Sequence, residues 1–252
     1  LLLGAGAAPG PAALATAAVL TGQLSVGWSN DWIDARRDVA VGRLDKPVVS
    51  GSVSVELLRS TALGAAMVCV VLSMATGWVP GAVHVAAVAM AWTYNLRLKD
   101  SAWSWLPYAV SFGLLPVFLV LTLPGQPLAA RWVVLAAALL GTGAHVANVL
   151  PDLEDDAATG VNGLPHRLGR TRSSVLAHTV LLAAVLVTVV GPPGEPSAAA
   201  LAIGGLAAVL AVAAGVVAST RTSSRVPFTL SMAVAGLCVL LLVTAGPAVV
   251  AG

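Results

Sequence analysis

Apolar residues run along this chain in eight long stretches, at about 11–28, 55–76, 79–94, 104–123, 130–149, 172–191, 196–218 and 227–250. Each approaches the roughly 20 residues that carry an α-helix across the hydrocarbon core of a bilayer. Pro11 suits the first turn of the first stretch, where a missing N–H costs nothing. Tight breaks at Gly77–Gly81, Pro124–Pro127 and Gly191–Pro196 separate neighbouring stretches on one side. Two connections, at about 29–54 and 150–171, are long and polar instead. The pattern predicts an all-α, polytopic transmembrane helical bundle of about eight spans, occupying residues 1–252 as a single domain.

Composition strengthens that reading. The chain is 58 % hydrophobic and 10 % charged, whereas soluble domains carry about a quarter charged residues. A soluble domain leaves too much of its surface in water to hide so much apolar area, so the expected partner is the lipid bilayer. Cys69 and Cys238 both lie inside apolar stretches and read as small buried hydrophobes. The formal net charge of +2 says nothing about nucleic acid; no nucleic-acid partner is expected, and no obligate protein partner is evident.

Charge sets the orientation. Arg36, Arg37, Arg43, Lys46, Arg59, Arg97, Lys99, Arg167, Arg170, Arg172, Arg221 and Arg225 fall in one alternate set of connections, while the other set holds Arg131. Cytoplasmic loops carry the excess of Lys and Arg, so the rich side is expected to face the cytoplasm in a multi-pass cell-membrane protein. The acids follow: of eleven Asp and Glu, ten lie on that side, Glu195 being the exception.

Those acids are grouped. Asn30-Asp31-Trp32-Ile33-Asp34-Ala35-Arg36-Arg37-Asp38 spaces its aspartates by three and four, so all three share one helix face. Asn148, Asp152 and Asp156 repeat every four and are expected to do the same. Stacked carboxylates repel one another, the more so where water screens poorly. A divalent cation removes that cost, and oxygen donors without a His or Cys set favour Mg²⁺, which keeps waters and recruits phosphate. Two such clusters on one membrane face point to a binding site rather than to loop solvation.

The order and spacing of these motifs resemble the UbiA family of membrane prenyltransferases. Residues 30–54, NDWIDARRDVAVGRLDKPVVSGSVS, are similar to that family's first motif, and residues 152–169, DLEDDAATGVNGLPHRLG, to its second. Tyr94-Asn95-Leu96-Arg97-Leu98-Lys99 and Phe112-Gly113-Leu114-Leu115-Pro116 fall between them, as in the family. Lys46 stands where the family more often has Arg, and Gly163 where Ser or Thr is common. Family members have nine transmembrane helices, so the first is expected to be absent or reduced to Leu1–Ala8.

The resemblance implies Mg²⁺-dependent transfer of an isoprenyl group from its diphosphate to a small acceptor, with an aromatic precursor of a lipid quinone expected. It implies a central lipid-lined cavity opening to the cytoplasmic side. Two Mg²⁺ ions are implied, one on Asp31, Asp34 and Asp38 and one on Asp152 and Asp156, with Asn30 and Asn148 supporting. Arg43, Lys46 and Lys99 would clamp the prenyl diphosphate, with Tyr94 as hydrogen-bond donor, and Lys99 would join the aspartates in catalysis. His84 and His178 read as structural, His145 as a neighbour of the acceptor or a packed histidine, and His166 and Arg167 as solvated loop residues. A terpene cyclase built on the same metal sites is the second reading, and a transporter with acidic mouths the third.

Overall fold

The structure, a computed structural model, describes residues 1–40, 42, 46–158, 160–220 and 225–251, without the side chains of Asp155, Ser219 and Thr220. The described residues form helices α1 (Pro9–Ala40), α2 (Val55–Ala75), α3 (Trp78–Leu96), α4 (Leu106–Leu121), α5 (Arg131–Val149), α6 (Leu153–Ala158), α7 (Leu164–Leu168), α8 (Arg170–Val190), α9 (Ala198–Thr220) and α10 (Val226–Thr244). No β-strand occurs among them. The eight long helices fall on the eight apolar stretches. Five of them, α2, α5, α8, α9 and α10, are long and apolar enough to cross a membrane by length and composition.

Successive helices pack side by side from α1 through α5, then α8 to α10, and α10 turns back onto α8 and α5. Residues 1–8 form hydrogen-bonded turns. They reach the far end of α10, where a Cβ on Gly4 would lie 3.2 Å from the Val243 carbonyl. The interior is built from small side chains and a few large ones: Ala15, Ala18, Ala184, Ala207 and Ala211 surround Phe118, Leu181 and Val234. Outward faces are apolar as well. Met67 and Val71 on α2 and Leu206 and Val209 on α9 are exposed, as expected of surfaces solvated by lipid rather than water.

Two sequence expectations are corrected. The first apolar stretch ends near Trp28, yet α1 continues as one 32-residue helix to Ala40. Hydropathy marks where a chain meets water, not where a helix stops, and neither Gly nor Pro occurs between Ser29 and Ala40. Conversely, Asn148, Asp152 and Asp156 do not share one continuous helix. Helix α5 ends at Val149 and α6 begins at Leu153, with Pro151 between them unable to donate to the ladder.

Candidate active site

One end of the bundle collects the last turns of α1, α3 and α5, the starts of α2, α4 and α8, and the short α6 and α7. Asp34 and Asp38, in the final turns of α1, are 8 % and 3 % exposed. Buried carboxylates must be compensated, and the chain supplies cations. Arg37 Nη2 lies 3.1 Å from Asp34 Oδ2, and Lys99 Nζ grips the same oxygen. Lys99 comes from the short 3-10 turn Leu98–Asp100 after α3. Burial lowers its ammonium pKa, and the charge of Asp34 opposes that shift. Lys46 Nζ lies 2.7 Å from Asp31 Oδ1, joining residues 46–54 back to the motif. Trp32 packs beneath the guanidinium of Arg59, 5.5 Å away.

The second cluster meets the first through those same cations. Asp156 N donates to Asp152 O at 2.8 Å, so this pair shares one helical turn. Burial pushes the Asp156 carboxyl up, while Arg37, His166 and Lys99 pull it down and Asp152 adds to the rise. Asn148, in the last turn of α5, is exposed and precedes the break at Pro151, so it belongs to a different helix from the turn that holds Asp152 and Asp156. Arg43 lies outside the described residues.

Behind the charges stands an aromatic wall. Tyr94 meets Tyr108 edge-on at 5.0 Å and His145 at 5.4 Å, and Tyr108 stacks on His145 at 4.4 Å. His145 Nε2 is 3.3 Å from Ser104 Oγ, which also accepts the Leu164 N–H at 3.0 Å. This ties the loop of the second motif to the start of α4. Gly163 fits there for lack of a side chain: a Cβ would lie 2.7 Å from the Lys99 carbonyl.

Three contributors escape sequence reasoning. Arg37 reads as one more basic loop residue, yet it bridges towards both clusters. Asn95 is buried and donates to Val26 O at 3.0 Å and Ser29 Oγ at 2.8 Å, bolting α3 to α1. His166 is not solvated as expected: its side chain is 4 % exposed and its Nε2 lies 3.9 Å from Asp156. Neither of its ring nitrogens has a hydrogen-bond partner. No spacing rule marks these residues, because tertiary packing assembles them.

Below the wall lies a cavity of about 420 Å³ between α1, α3 and α4. Tyr94, Asn95 and Tyr108 line its upper part, Val26, Ala91 and Phe112 its walls. Among the described residues no three His, Cys, Asp or Glu side chains converge closely enough to cage an ion. The donors nevertheless suit Mg²⁺, which takes one or two carboxylates and completes its shell with water and substrate phosphate. Buried Asp34 and Asp38, and the Asp152–Asp156 turn, are carboxylates of that kind, and Lys and Arg hold part of their charge in this structure.

A family model described as the UbiA prenyltransferase family matches residues 1–234. The bacteriochlorophyll synthase 33 kDa chain of Cereibacter sphaeroides is 34 % identical over 186 residues, 68 % of this chain and 60 % of that one. The chain thus spans under two thirds of the length of that relative. A digeranylgeranylglyceryl phosphate synthase of Methanopyrus kandleri is 33 % identical over 196 residues, 73 % of this chain and 70 % of its own. The fold matches the apo structure of a UbiA homolog from Aeropyrum pernix K1 with a TM-score of 0.79 at 18 % identity, covering 96 % of this chain and 93 % of that one. A UbiA homolog from Archaeoglobus fulgidus bound to GPP and Mg²⁺ gives 0.69 at 16 % identity, covering 95 % and 89 %.

Proposed function

This chain belongs to the UbiA prenyltransferase family, and from that membership we propose that it transfers an isoprenyl group from its diphosphate to a small acceptor, with Mg²⁺ as cofactor. The observation that carries the reading is the stacking of two layers: carboxylates and cations at one end of the bundle, with an apolar cavity directly beneath. A prenyl diphosphate is built the same way, a charged head on a hydrocarbon chain.

In the reaction the allylic C–O bond breaks, its electron pair leaves with the diphosphate, and the electron-poor carbon bonds to the acceptor, which loses a proton. The leaving group's charge is what must be stabilised. Lys99, Lys46 and Arg37 would bind the diphosphate oxygens, and the resemblance adds Arg43. Asp31, Asp34 and Asp38, with Asn30, would hold one Mg²⁺, and Asp152 and Asp156, with Asn148, another. Bound there, Mg²⁺ supplies positive charge to the departing diphosphate. Tyr94 bridges the charged layer and the cavity and would donate a hydrogen bond to the diphosphate, while the apolar walls keep water from the reacting carbon.

As acceptor we propose an aromatic precursor of a lipid quinone. The Tyr94–Tyr108–His145 wall supports it, because offset and edge-on ring contacts suit a flat ring. The whole works as one domain, the cavity mouth and both motif loops facing the cytoplasm, on the strength of the charge asymmetry. Purified protein incubated with a prenyl diphosphate and a panel of aromatic acceptors, with products read by mass spectrometry, tests the reading. EDTA should abolish turnover and Mg²⁺ restore it, and full turnover in metal-free buffer would overturn the metal assignment. Cyclised hydrocarbon in place of an adduct would replace transfer by internal capture.

A further inference from the structure

The cavity follows a single stripe of α3. His84, Ala87, Val88, Ala91, Tyr94 and Asn95 line one wall, at the spacing of three and four that puts residues on one helix face. From Tyr94 down to His84 the helix rises about 15 Å, nearly three turns. Ala91 and Ala87 keep the upper part of the stripe narrow and the cavity wide.

At His84 the stripe changes character. Its side chain is buried, and its Nδ1 lies 2.7 Å from Ser73 Oγ. Its ring stacks on Phe118 at 4.3 Å with the planes 16° apart, and Phe118 is fully buried. Helix α1 closes in from the other side. A Cβ on Gly22 would lie 3.0 Å from Val88 Cγ2, 3.2 Å from Cys69 Sγ and 3.5 Å from His84 Cε1. A ring fixed by a hydrogen bond, a stacked partner and a neighbouring helix cannot swing aside as a free rotamer would.

We infer that His84 is the floor of the prenyl-chain pocket and sets the longest isoprenoid diphosphate that the protein accepts. This rests on the prenyl-transfer reading. An extended isoprene unit is close to one helical turn long, so the stripe below Tyr94 houses about three units. With the unit that carries the reacting carbon beside Lys99, geranylgeranyl is the longest chain that fits above His84. One surplus methylene in an apolar pocket already discriminates by about 10–200-fold, so a chain with a further unit should be rejected at least as strongly.

The experiment is a competition in one tube. Geranyl, farnesyl, geranylgeranyl and hexaprenyl diphosphates are offered together with a fixed acceptor, and products are counted by mass spectrometry. Such a ratio does not depend on how much protein is folded. Wild type should use the hexaprenyl chain less than about one-tenth as well as the farnesyl chain, and His84→Ala should raise that ratio about tenfold or more. His84→Ala empties a packed site, so Ala87→Phe and Ala91→Phe provide the opposite test. Both should move preference towards shorter chains, Ala91→Phe further than Ala87→Phe because it blocks nearer the mouth. Protection against thermal unfolding by each diphosphate, measured without acceptor, should follow the same order. Length ratios unmoved in all three variants overturn the floor, as does wild type that uses hexaprenyl and farnesyl chains equally well. If no chain is transferred and none protects, the prenyl-transfer reading itself falls, and the floor with it.

Discussion

Lys99 and Asp34 are each 11 % exposed, whereas Lys46 and Asp31 are 23 % and 24 % exposed. That difference decides what each pair is worth. Breaking a buried pair by removing one partner costs about 3–5 kcal/mol, while exposed pairs contribute about 0–1 kcal/mol. Lys99→Met should therefore lower the melting temperature clearly and cut kcat/KM by about 10²–10³, the range for one lost charge-stabilising contact. Lys46→Arg should change neither much, since the charge stays. A Lys99→Met variant that turns over normally would remove Lys99 from the site. Gly163 makes a sharper point. Where the family commonly has Ser or Thr, a side chain here would meet the Lys99 carbonyl at 2.7 Å and Ser104 Oγ at 3.0 Å. Gly163→Ser should push the second-motif loop off the α3–α4 connection that carries Lys99 and raise KM for prenyl diphosphate, whereas an unchanged KM would mean that the loop yields freely.

Between elements, the α1–α3 seam is held by polar contacts: Asn95 to Val26 O and Ser29 Oγ, and Trp92 Nε1 to Ser25 Oγ at 3.2 Å. Interhelical hydrogen bonds inside membranes average about 0.6 kcal/mol and reach about 1.7. Ser29 Oγ also donates to Val26 O within α1, so it keeps a partner when Asn95 is lost. Asn95→Ala should thus cost only about 1 kcal/mol, seen as a small drop in melting temperature in detergent. A loss of several kcal/mol would show that Asn95 does more than bolt two helices. The seam also shows what a sequence discloses. Asp31, Asp34 and Asp38 could be placed on one face because spacing within a helix needs no knowledge of its neighbours. The same rule groups Asn148 with Asp152 and Asp156, and it fails where Pro151 breaks the helix. Asn95, Arg37 and His166 acquire meaning only from what packs against them, and a pattern of polarity carries no such information. The eight helices were legible because lipid demands long apolar stretches; the full length of α1 was not, because its last turns leave lipid without unwinding.

At the scale of the whole molecule, most of the charge among the described residues lies at one end, and apolar surface covers much of the rest. Single cysteines at Ala40 and Ala158 should react with an impermeant reagent from the same side, and one at Gly194 from the other. Buried Cys69 and Cys238 should give little background. Reaction of the first two from opposite sides would separate the motifs and dissolve the site. The polar mouth above an apolar cavity has a consequence for how rates must be measured. Moving a prenyl chain into water costs about 0.8 kcal/mol per methylene, so a long-chain substrate reaches the protein by lateral diffusion within its leaflet rather than through bulk solution. The concentration that governs encounter is then two-dimensional, moles of substrate per mole of lipid. Diluting loaded vesicles into more buffer should leave the turnover of each protein molecule unchanged, while adding inert phospholipid to the same vesicles should slow it in proportion. A KM quoted in molar units would describe the assay tube, and one quoted as a mole fraction would describe the enzyme.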